Sequence, residues 1–284
     1  MTSISRRTAV LGATGALAVP FVGMSTARAA DASAPQPLER AHAHNDYEHD
    51  RPLGDALANG FTSVEADVWL VDGELYIGHD GPDLTRTLRS LYLEPLRARV
   101  RRAGHSTYDH WGGSLRLLID VKSDGDEAYG VLQQQLSAYP DLVTVWRKGR
   151  RKTRPVTAVL SGELANRVVP QRDTRWFGFD GRIDALPAGA NAEQIPLVSE
   201  NWSKFFTWRG VGPMPGDQRR LLHDIVSGLH ADGYQVRLWA TPDTDEAART
   251  AVWREEIAAG VDVLNTDHLT ALRSFLLTED PDEQ

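Results

Sequence analysis

The chain has 284 residues, of which 41% are hydrophobic and 25% charged, and it contains no cysteine. This composition is typical of a globular protein with one large domain or two small ones. The formal net charge of −8 argues against a general basic surface for nucleic acid, and the lack of cysteine excludes disulfides and thiolate chemistry within this sequence.

The first 29 residues have the pattern of an export signal. Ser5-Arg6-Arg7-Thr8 precedes an apolar run over residues 9–24, and Ala27-Arg28-Ala29 offers a small-x-small cleavage site. Paired arginines before such a run are typical of the twin-arginine route. The run is short for a transmembrane helix, which disfavours the alternative of a membrane anchor. We expect a twin-arginine-type signal peptide over residues 1–29, an extracytoplasmic or secreted product without a transmembrane anchor, and a linker over residues 30–38.

From residue 39 onward, short apolar runs alternate with segments of helical periodicity. This alternation predicts βαβ units and a parallel sheet. The candidate strands are residues 40–44, 62–69, 75–79, 115–121, 142–146, 156–161, 175–180, 195–199, 235–240 and 261–265. The candidate helices are residues 52–59, 86–103, 126–138, 216–232, 244–259 and 268–277.

Repetition of this pattern without an internal linker favours an α/β fold: a single-domain (β/α)₈ TIM barrel over residues 39–278, followed by an acidic tail over residues 279–284. A barrel needs fewer strands than the candidates provide. The Asp72-Gly73 turn predicts that 75–79 is a hairpin return from the second strand, and either 142–146 or 156–161 is a further extra strand. The alternative is an open doubly wound sheet, but no glycine-rich phosphate loop follows the first strand.

The first candidate strand leads into His42-Ala43-His44-Asn45-Asp46-Tyr47. Side chains on a strand alternate between faces, so His42 and His44 share one face. Catalytic residues of barrels lie at the carboxyl ends of strands. We therefore assign the chemistry to His44, and a supporting or substrate-binding role to His42, one pleat deeper. A His-x-His pair is also a zinc motif, which leaves a zinc-dependent amidohydrolase-type hydrolase as an alternative.

The second candidate strand carries two acids in apolar surroundings. Glu65, Asp67 and Trp69 share one face of the strand, opposite its small apolar residues. Two neighbouring carboxylates in such a strand are costly unless a positive charge lies between them, and a divalent cation with oxygen ligands provides one. The alternative is a pair of solvent-facing acids on an edge strand.

Further polar residues follow the next strands. Gly78-His79-Asp80 comes after the predicted hairpin, and we expect Asp80 to orient His79. Asp120 and Lys122 share a face at the end of an apolar strand, where Asp120 is a third metal ligand and Lys122 points toward phosphate. The alternative for these two is a buried ion pair at the barrel rim.

Residues 147–154 (Arg-Lys-Gly-Arg-Arg-Lys-Thr-Arg) are the only basic run. A solvated hairpin loop is the favoured interpretation, and contact with phosphate headgroups is the alternative.

The order of these motifs resembles the phospholipase C-like phosphodiesterase superfamily, which includes the glycerophosphodiester phosphodiesterases. The resemblance rests on His44-Asn45, Glu65-x-Asp67, His79-Asp80 and Asp120-x-Lys122, with Val261-Asp-Val-Leu-Asn265 near the end. Over residues 41–275 the sequence looks closest to the subgroup typified by altered inheritance of mitochondria protein 6. Two positions depart from the glycerophosphodiesterase pattern: His-Asn-Asp replaces His-Arg-Gly, and Asp120 replaces a glutamate.

The resemblance implies that His44 and His79 are the acid/base pair, and that Mg²⁺ or Ca²⁺ is held by Glu65, Asp67, Asp120 and Asn45. We expect Trp69 and Trp239 to line the substrate pocket. The expected protein is an exported metal-dependent phosphodiesterase that cleaves a glycerophosphodiester or (lyso)phospholipid headgroup, with a cyclic phosphate as one route. The non-catalytic alternative is a metal- or phospholipid-binding barrel.

Overall fold

The computed structural model describes Met1 and residues 35–170, 173–243 and 245–282. The expected signal peptide, beyond Met1, and the linker up to residue 34 lie outside the described residues. The strands in chain order are β1 (Leu38–Ala43), β2 (Phe61–Val71), β3 (Glu74–Ile77), β4 (Asp83–Thr87), β5 (Leu115–Val121), β6 (Val145–Arg147), β7 (Arg150–Lys152), β8 (Val156–Gly162), β9 (Gly178–Arg182), β10 (Leu197–Asn201), β11 (Gln235–Trp239) and β12 (Val263–Thr266).

The helices connect these strands. In chain order they are α1 (Gly54–Ala58), α2 (Glu94–Ala103), α3 (Gly125–Ser137), α4 (Trp202–Phe205), α5 (Gly216–Ala231), α6 (Glu246–Ala259) and α7 (Leu269–Glu279). Asp124 and Asp245 cap α3 and α6, because each carboxylate accepts from two backbone N–H groups of the first turn. None of the helices in the described ranges combines the length and apolar character needed to cross a bilayer.

Eight parallel strands close a barrel in the order β1-β2-β5-β8-β9-β10-β11-β12, and β12 pairs back to β1. The fold is the (β/α)₈ TIM barrel that the sequence predicts, as a single domain of the described residues from 35 onward. Hydrophobic side chains of β5 alternate between two clusters. Leu117 and Ile119 belong to the main core, whereas Leu118 packs with residues of three other strands, namely Val159, Leu197 and Val263. Since alternate residues face opposite sides of a strand, this smaller cluster fills the barrel interior.

The extra strand candidates form hairpins outside the barrel. β3 returns antiparallel to β2, as the Asp72-Gly73 turn predicts, and β4 adds a third antiparallel strand. Of the two remaining candidates, residues 142–146 give the extra strand β6, which pairs with β7, whereas 156–161 belong to barrel strand β8. The remaining strand candidates overlap the barrel strands with shifts of at most three residues at their ends, and 115–121 matches β5 without a shift.

Two further differences from the prediction concern the start of a helix and the end of the domain. The helix predicted from residue 86 begins later, because β4 continues to Thr87 and a π-helical turn over Arg89–Leu93 precedes α2. At the other end, α7 runs to Glu279, and the buried Asp280 accepts a hydrogen bond from Arg40 Nε at 2.8 Å. The first residues of the expected acidic tail are therefore part of the barrel domain.

Candidate active site

Three carboxylates meet at the carboxyl end of the barrel. Glu65 and Asp67 lie on β2, and Asp120 lies opposite Asp67 in register on β5. One oxygen of each lies within 4.8 Å of an oxygen of the other two. The three acids predicted as metal ligands are therefore brought together. Period-two alternation explains this arrangement, because Val64, Ala66 and Val68 on the other face pack into the main core.

Asp67 is the centre of the hydrogen-bond network. Its Oδ2 accepts from the Tyr47 hydroxyl at 2.7 Å and from His79 Nδ1 at 2.9 Å, and it lies 3.0 Å from Lys122 Nζ. Its Oδ1 is buried and has no hydrogen-bond partner among the residues that the structure describes. One oxygen is thus saturated by donors, while the other is left free for a further positive group.

Asp120 repeats this pattern. Its Oδ2 accepts from Lys122 Nζ at 2.7 Å, whereas its buried Oδ1 lacks a partner within the described ranges. Burial raises the pKa of Asp120, and the hydrogen bond and charge of Lys122 oppose only part of that shift. Gly162 makes room for this carboxylate, because a Cβ at that position would stand 2.1 Å from Oδ1.

The donor set fits a hard divalent cation. Mg²⁺ and Ca²⁺ prefer carboxylate and amide oxygens, and two buried carboxylate oxygens here have no other described partner. The Asn45 side chain lies at the edge of this cluster, because the Tyr47 hydroxyl contacts both Asn45 Oδ1, at 3.0 Å, and Asp67 Oδ2. Glu65, Asp67 and Asp120 can hold such an ion, and Asn45 stays a predicted fourth ligand.

Glu65 also belongs to a deeper layer of the barrel. Its Oε2 accepts from Arg237 Nη2 at 2.8 Å, across the barrel from β11. Burial acts to raise the pKa of Glu65, but the Arg237 charge and the His42 hydrogen bond outweigh it and lower the pKa well below its usual range. Arg237 in turn donates to Asn265 Oδ1 at 2.9 Å through Nε. Glu65 is therefore ionised, and Arg237 in the deeper layer fixes the position of its carboxylate.

His42 does not face the substrate side, contrary to the substrate-binding role that we assigned to it. It is fully buried, with Nε2 3.2 Å from Glu65 Oε2 and Nδ1 2.7 Å from Ser63 Oγ. Burial and the Arg237 charge lower the pKa of His42 to about 3, so the ring is neutral. Because both ring nitrogens already have partners, His42 supports the structure, as the alternative in the prediction had it. The geometry also gives no support to a His-x-His zinc site.

His44 lies at the mouth, where we expect a catalytic histidine. Its Nδ1 is 2.8 Å from Asp267 Oδ1, just beyond the end of β12. Burial acts to lower the pKa of His44, but the hydrogen bond to Asp267 and the charge of Glu65 outweigh it and raise the pKa overall. The Asp267 carboxylate thus orients the ring and stabilises its protonated form, as the aspartate of a catalytic triad does for its histidine.

His79 reaches the same cluster from the segment after β3. Its Nδ1 contacts Asp67 Oδ2 at 2.9 Å and the Tyr47 hydroxyl at 3.1 Å. The segment is held by Trp69, whose Nε1 donates to the Gly78 carbonyl at 2.8 Å. Gly78 is needed for close packing, because a Cβ there would stand 1.9 Å from the Gly81 carbonyl oxygen.

Asp80 does not orient His79, contrary to our prediction. Its side chain is exposed, and no hydrogen bond joins it to the imidazole in the described part of the chain. Asp67, on the neighbouring strand β2, takes that role instead. Adjacency along the chain suggested Asp80, but the turn after β3 brings the ring to Asp67.

The expected substrate-binding residues lie at the mouth. Lys122 follows β5, and its ammonium group bridges Asp67 and Asp120. Burial acts to lower the pKa of Lys122, but its hydrogen bond to Asp120 and the charges of Asp120 and Asp67 raise it overall. Trp239 ends β11 and is half-buried. Contact of Lys122, Trp69 and Trp239 with substrate stays a prediction.

Sequence reasoning missed three residues of this site: Tyr47, Arg237 and Asp267. Asp267 could have been predicted, because Val263, Asn265 and Asp267 alternate in the way that identified Glu65 and Asp67. Arg237 stands as a lone cation in an apolar strand, but its partner Glu65 is 172 positions away in the sequence. Tyr47 bonds through a hydroxyl whose direction no local pattern predicts.

A second polar cluster continues around the mouth on β8, β9 and β10. The fully buried Asp180 accepts from Ser161 Oγ at 2.8 Å, Ser199 Oγ at 2.6 Å and Arg182 Nη1 at 2.5 Å. Its Oδ1 has no partner in the described ranges, but it lies outside the group of three carboxylates. Ser161 pairs in register with Asp120, so this cluster continues the polar layer of the three acids along the next strands of the barrel.

A parallel barrel with clustered carboxylates, a lysine and two held histidines at its mouth defines the class of glycerophosphodiesterase-like phosphodiesterase domains. The model of the AIM6-like phosphodiesterase domain matches residues 34–180, and that of the glycerophosphoryl diester phosphodiesterase family matches residues 235–270. The first match covers more than half of the chain. The chain therefore belongs to the family of AIM6-like phosphodiesterase domains.

Curated relatives carry the same family name. An altered inheritance of mitochondria protein 6 homolog from Arthroderma benhamiae is 29% identical, and the match covers 82% of each chain. Altered inheritance of mitochondria protein 6 from Lachancea thermotolerans is 29% identical over 82% of this chain and 64% of its own. The match therefore leaves about a third of the Lachancea protein uncovered.

Among solved structures, a glycerophosphoryl diester phosphodiesterase from Parabacteroides distasonis has a TM-score of 0.49 and 13% identity, covering 88% of this chain and 89% of its own. A glycerophosphodiester phosphodiesterase from Agrobacterium tumefaciens has a TM-score of 0.45 and 14% identity, covering 84% of this chain and 99% of its own.

Proposed function

We propose that this chain is a metal-dependent phosphodiesterase that hydrolyses a glycerophosphodiester or a (lyso)phospholipid headgroup with His44 and His79 as the acid/base pair. One observation carries the proposal. Two imidazoles, each held by a carboxylate, stand beside a cluster of three acids with unpaired buried oxygens in the described chain. Phosphodiester cleavage needs positive charge at the phosphate and two proton transfers, and these residues provide for both.

Glu65, Asp67 and Asp120, with Asn45, are the residues that would hold Mg²⁺ or Ca²⁺. When bound, such an ion supplies positive charge that stabilises the charge developing on the phosphoryl group. Lys122 adds a positive charge from the protein, because its ammonium group lies beside two of these acids with a quarter of the side chain exposed. The lysine thus binds and orients the phosphate.

His44 acts as the base in this proposal. With Nδ1 engaged by Asp267, its Nε2 accepts the proton of the attacking water oxygen as that oxygen bonds to phosphorus. Asp267 stabilises the resulting imidazolium. If the substrate has a hydroxyl next to the phosphate, that hydroxyl attacks first and gives a cyclic phosphate, which water then opens.

His79 acts as the acid. Its Nδ1 is held by Asp67, and nearly half of its side chain is exposed, so its Nε2 is free to protonate the leaving alkoxide as the phosphorus–oxygen bond breaks. Tyr47 supports this orientation, because burial and the charge of Asp67 raise its pKa and keep its hydroxyl protonated. Trp69 and Trp239 are proposed to line the pocket for the leaving group.

Export by the twin-arginine route, predicted from residues 1–29, is part of the proposal. It places the activity outside the cytoplasm and lets the barrel fold before transport. A fusion of residues 1–38 to a reporter that functions only when exported already folded tests this part. Export that stops when Arg6 and Arg7 are replaced by lysine supports it, and export that persists contradicts the twin-arginine route.

The test of the activity is phosphorus NMR of the full chain incubated with glycerophosphocholine, lysophosphatidylcholine, sphingomyelin and phosphatidylinositol, in Mg²⁺, Ca²⁺ or EDTA. We expect a metal-dependent phosphomonoester or cyclic phosphate from at least one substrate. The double variant His44→Gln/His79→Gln, prepared identically, controls for contaminating phosphodiesterases. No product from any substrate, with metal binding verified by calorimetry, contradicts the proposed activity toward these substrate classes.

A further inference from the structure

The β6–β7 hairpin, which we name the basic hairpin (residues 145–152), concentrates positive charge on an otherwise acidic chain. Five of its six residues from 147 to 152 are cationic and exposed: Arg147, Lys148, Arg150, Arg151 and Lys152. The chain as a whole has a formal net charge of −8. The basic hairpin is therefore a local exception to the charge of the molecule.

The turn of the basic hairpin holds a lysine in an unfavourable conformation. Lys148 and Gly149 have φ angles of 51° and 72°, the left-handed pair that a two-residue type I′ turn requires. Asn-Gly, Asp-Gly and Gly-Gly are the favoured sequences for this turn, because residues with larger side chains are strained at positive φ. A lysine at this position costs stability, and the property that it adds to the turn is a positive charge.

The strand register adds a second local cost. Arg147 pairs directly with Arg150, and like charges opposite each other destabilise a hairpin. Little neutralises them in the described part of the chain. Arg151 lies 3.8 Å from Glu193, and Arg147 stacks over the Trp176 ring, while Lys148, Arg150 and Lys152 have no described ion pair. The strained turn and the Arg147–Arg150 pair both place exposed cations close together, and three of the five cations have neither a described ion pair nor a described ring contact.

The basic hairpin lies at the end of the barrel opposite the candidate active site. It leads directly into the amino end of β8, whereas the carboxylates and histidines lie at the carboxyl ends of the strands. Trp146 in the hairpin and its neighbour Trp176 are 2% and 5% exposed. No exposed aromatic ring of the basic hairpin is therefore available to stack on nucleic-acid bases, which single-stranded nucleic-acid sites generally use.

We propose that the basic hairpin docks the protein onto an anionic lipid bilayer. Clusters of four to eight exposed Lys or Arg attract acidic headgroups with about 1 kcal/mol per cation, without needing a pocket. In this orientation the mouth of the barrel faces the water. Combined with the proposed function, on which this consequence alone rests, docking favours a water-dissolved phosphodiester as substrate over a lipid of the same bilayer.

The test is co-sedimentation of the full chain with vesicles of phosphatidylcholine alone or mixed equally with phosphatidylglycerol. The variant Lys148→Asn/Arg150→Thr removes two cations, restores the favoured Asn-Gly turn and relieves the Arg147–Arg150 repulsion. We expect its partition onto acidic vesicles to fall by about 30-fold, because two cations contribute roughly 2 kcal/mol. Its thermal midpoint should equal or exceed that of the wild type, which separates lost binding from lost folding.

The matched control is Arg51→Gln/Arg220→Gln, which removes two exposed cations near the carboxyl ends of the barrel strands. It should sediment like the wild type, and because the amino-terminal segment is common to all variants, it cannot cause the difference. Equal sedimentation of the hairpin variant and the wild type, or wild-type binding to neutral vesicles alone, overturns the proposal. Binding to a soluble polyanion such as heparin without binding to acidic vesicles also overturns it. Turnover of soluble substrate should be the same in all three proteins. The sedimentation result needs no turnover, so it tests docking independently of the proposed function.

Discussion

The barrel interior holds two polar layers that differ in how their hydrogen bonds are completed. In the inner layer, His42, Glu65, Arg237 and Asn265 bond to one another and to Ser63, and all are at most 6% exposed. At the mouth, Asp67 and Asp120 each leave a buried oxygen without a partner in the described ranges. Polar side chains of the inner layer therefore satisfy one another by hydrogen bonds, whereas two carboxylates at the mouth keep an unpaired oxygen.

This difference assigns the inner layer to the stability of the fold and the mouth to the binding of an ion. Buried polar groups are normally paired, so an unpaired one is costly and calls for a missing partner. Asp67 and Asp120 each have such an oxygen, and one oxygen of each lies within 4.8 Å of an oxygen of Glu65 and of each other, a spacing that fits an ion. An unpaired acid alone is not sufficient, since Glu256 on α6 is fully buried with both oxygens unpaired among the described residues, yet it belongs to no such group.

The largest expected effect is on turnover. His44→Gln or His79→Gln should each reduce kcat by about 10² to 10⁴, because each removes one proton transfer. Both rings are partly exposed, so the free energy of unfolding should change little. Steady-state kinetics on the substrate found by phosphorus NMR, with urea denaturation alongside, measure both. Two variants that both retain wild-type kcat would show that the mouth histidines are not the acid/base pair.

The inner layer should respond in the opposite way. Arg237→Met leaves Glu65 buried without its counter-charge, so the free energy of unfolding should fall by about 3–5 kcal/mol. Urea denaturation measures the loss in EDTA. The double variant Arg237→Met/Glu65→Gln is the control, and it should recover part of the loss by removing the unpaired charge. A single variant as stable as the wild type would contradict the assignment of this layer to structure.

The buried histidine predicts a pH dependence of stability. His42 has its pKa lowered to about 3 by burial, so the folded chain excludes a proton that the unfolded chain binds below about 6.5. Its contribution is present above pH 6.5 and is lost as the pH falls, by up to about 1.4 kcal/mol per pH unit. Urea denaturation in EDTA at pH 7 and 5 tests this, and His42→Asn should flatten the slope. A wild-type slope equal to that of the variant is the contrary result.

The smallest effect concerns Glu256. Burial and the charge of Asp243 raise its pKa well above the usual range, so its stabilising contribution is present below pH 4.5 and is lost as the pH rises toward the folded-state pKa. Glu256→Met should therefore raise the free energy of unfolding by about 1 kcal/mol at neutral pH, with a larger gain at higher pH. Thermal denaturation at pH 6 and 8 measures the trend. A destabilised variant at both pH values would indicate an essential partner for this carboxylate.

Sequence reasoning reached the fold and half of the site because both depend on local periodicity. Alternation on β2 and β5 correctly grouped Glu65 with Asp67 and Asp120 with Lys122, and short strands separated by helices predicted the barrel. The same reasoning placed His44 at the mouth and His42 one pleat deeper. Each of these inferences needs only the direction of side chains along one element.

The contacts of the site that sequence reasoning did not predict depend on how distant strands are staggered when the barrel closes. That Arg237 lies level with Glu65, and Asp267 level with His44, is set by closure of β11 and β12 against β1 and β2. His79 follows the same rule, since its partner is Asp67 across a hairpin and not the adjacent Asp80. The start of the helix predicted at residue 86 failed because β4 pairs with β3, which is also a non-local contact.

The most direct test of the contrast between the two layers is calorimetric titration of Mg²⁺ and Ca²⁺ into the wild type, Asp120→Asn and Asp180→Asn. Both aspartates lie at the mouth with one buried oxygen unpaired within the described ranges, but only Asp120 belongs to the group of three acids. We predict that the wild type and Asp180→Asn bind one ion with similar affinity. Asp120→Asn should bind it roughly a hundredfold more weakly, since even the loss of an outer partner of a ligand typically costs 10–100-fold. Equal binding by all three proteins, or no binding by the wild type, would contradict the assignment of Glu65, Asp67 and Asp120 to a cation site.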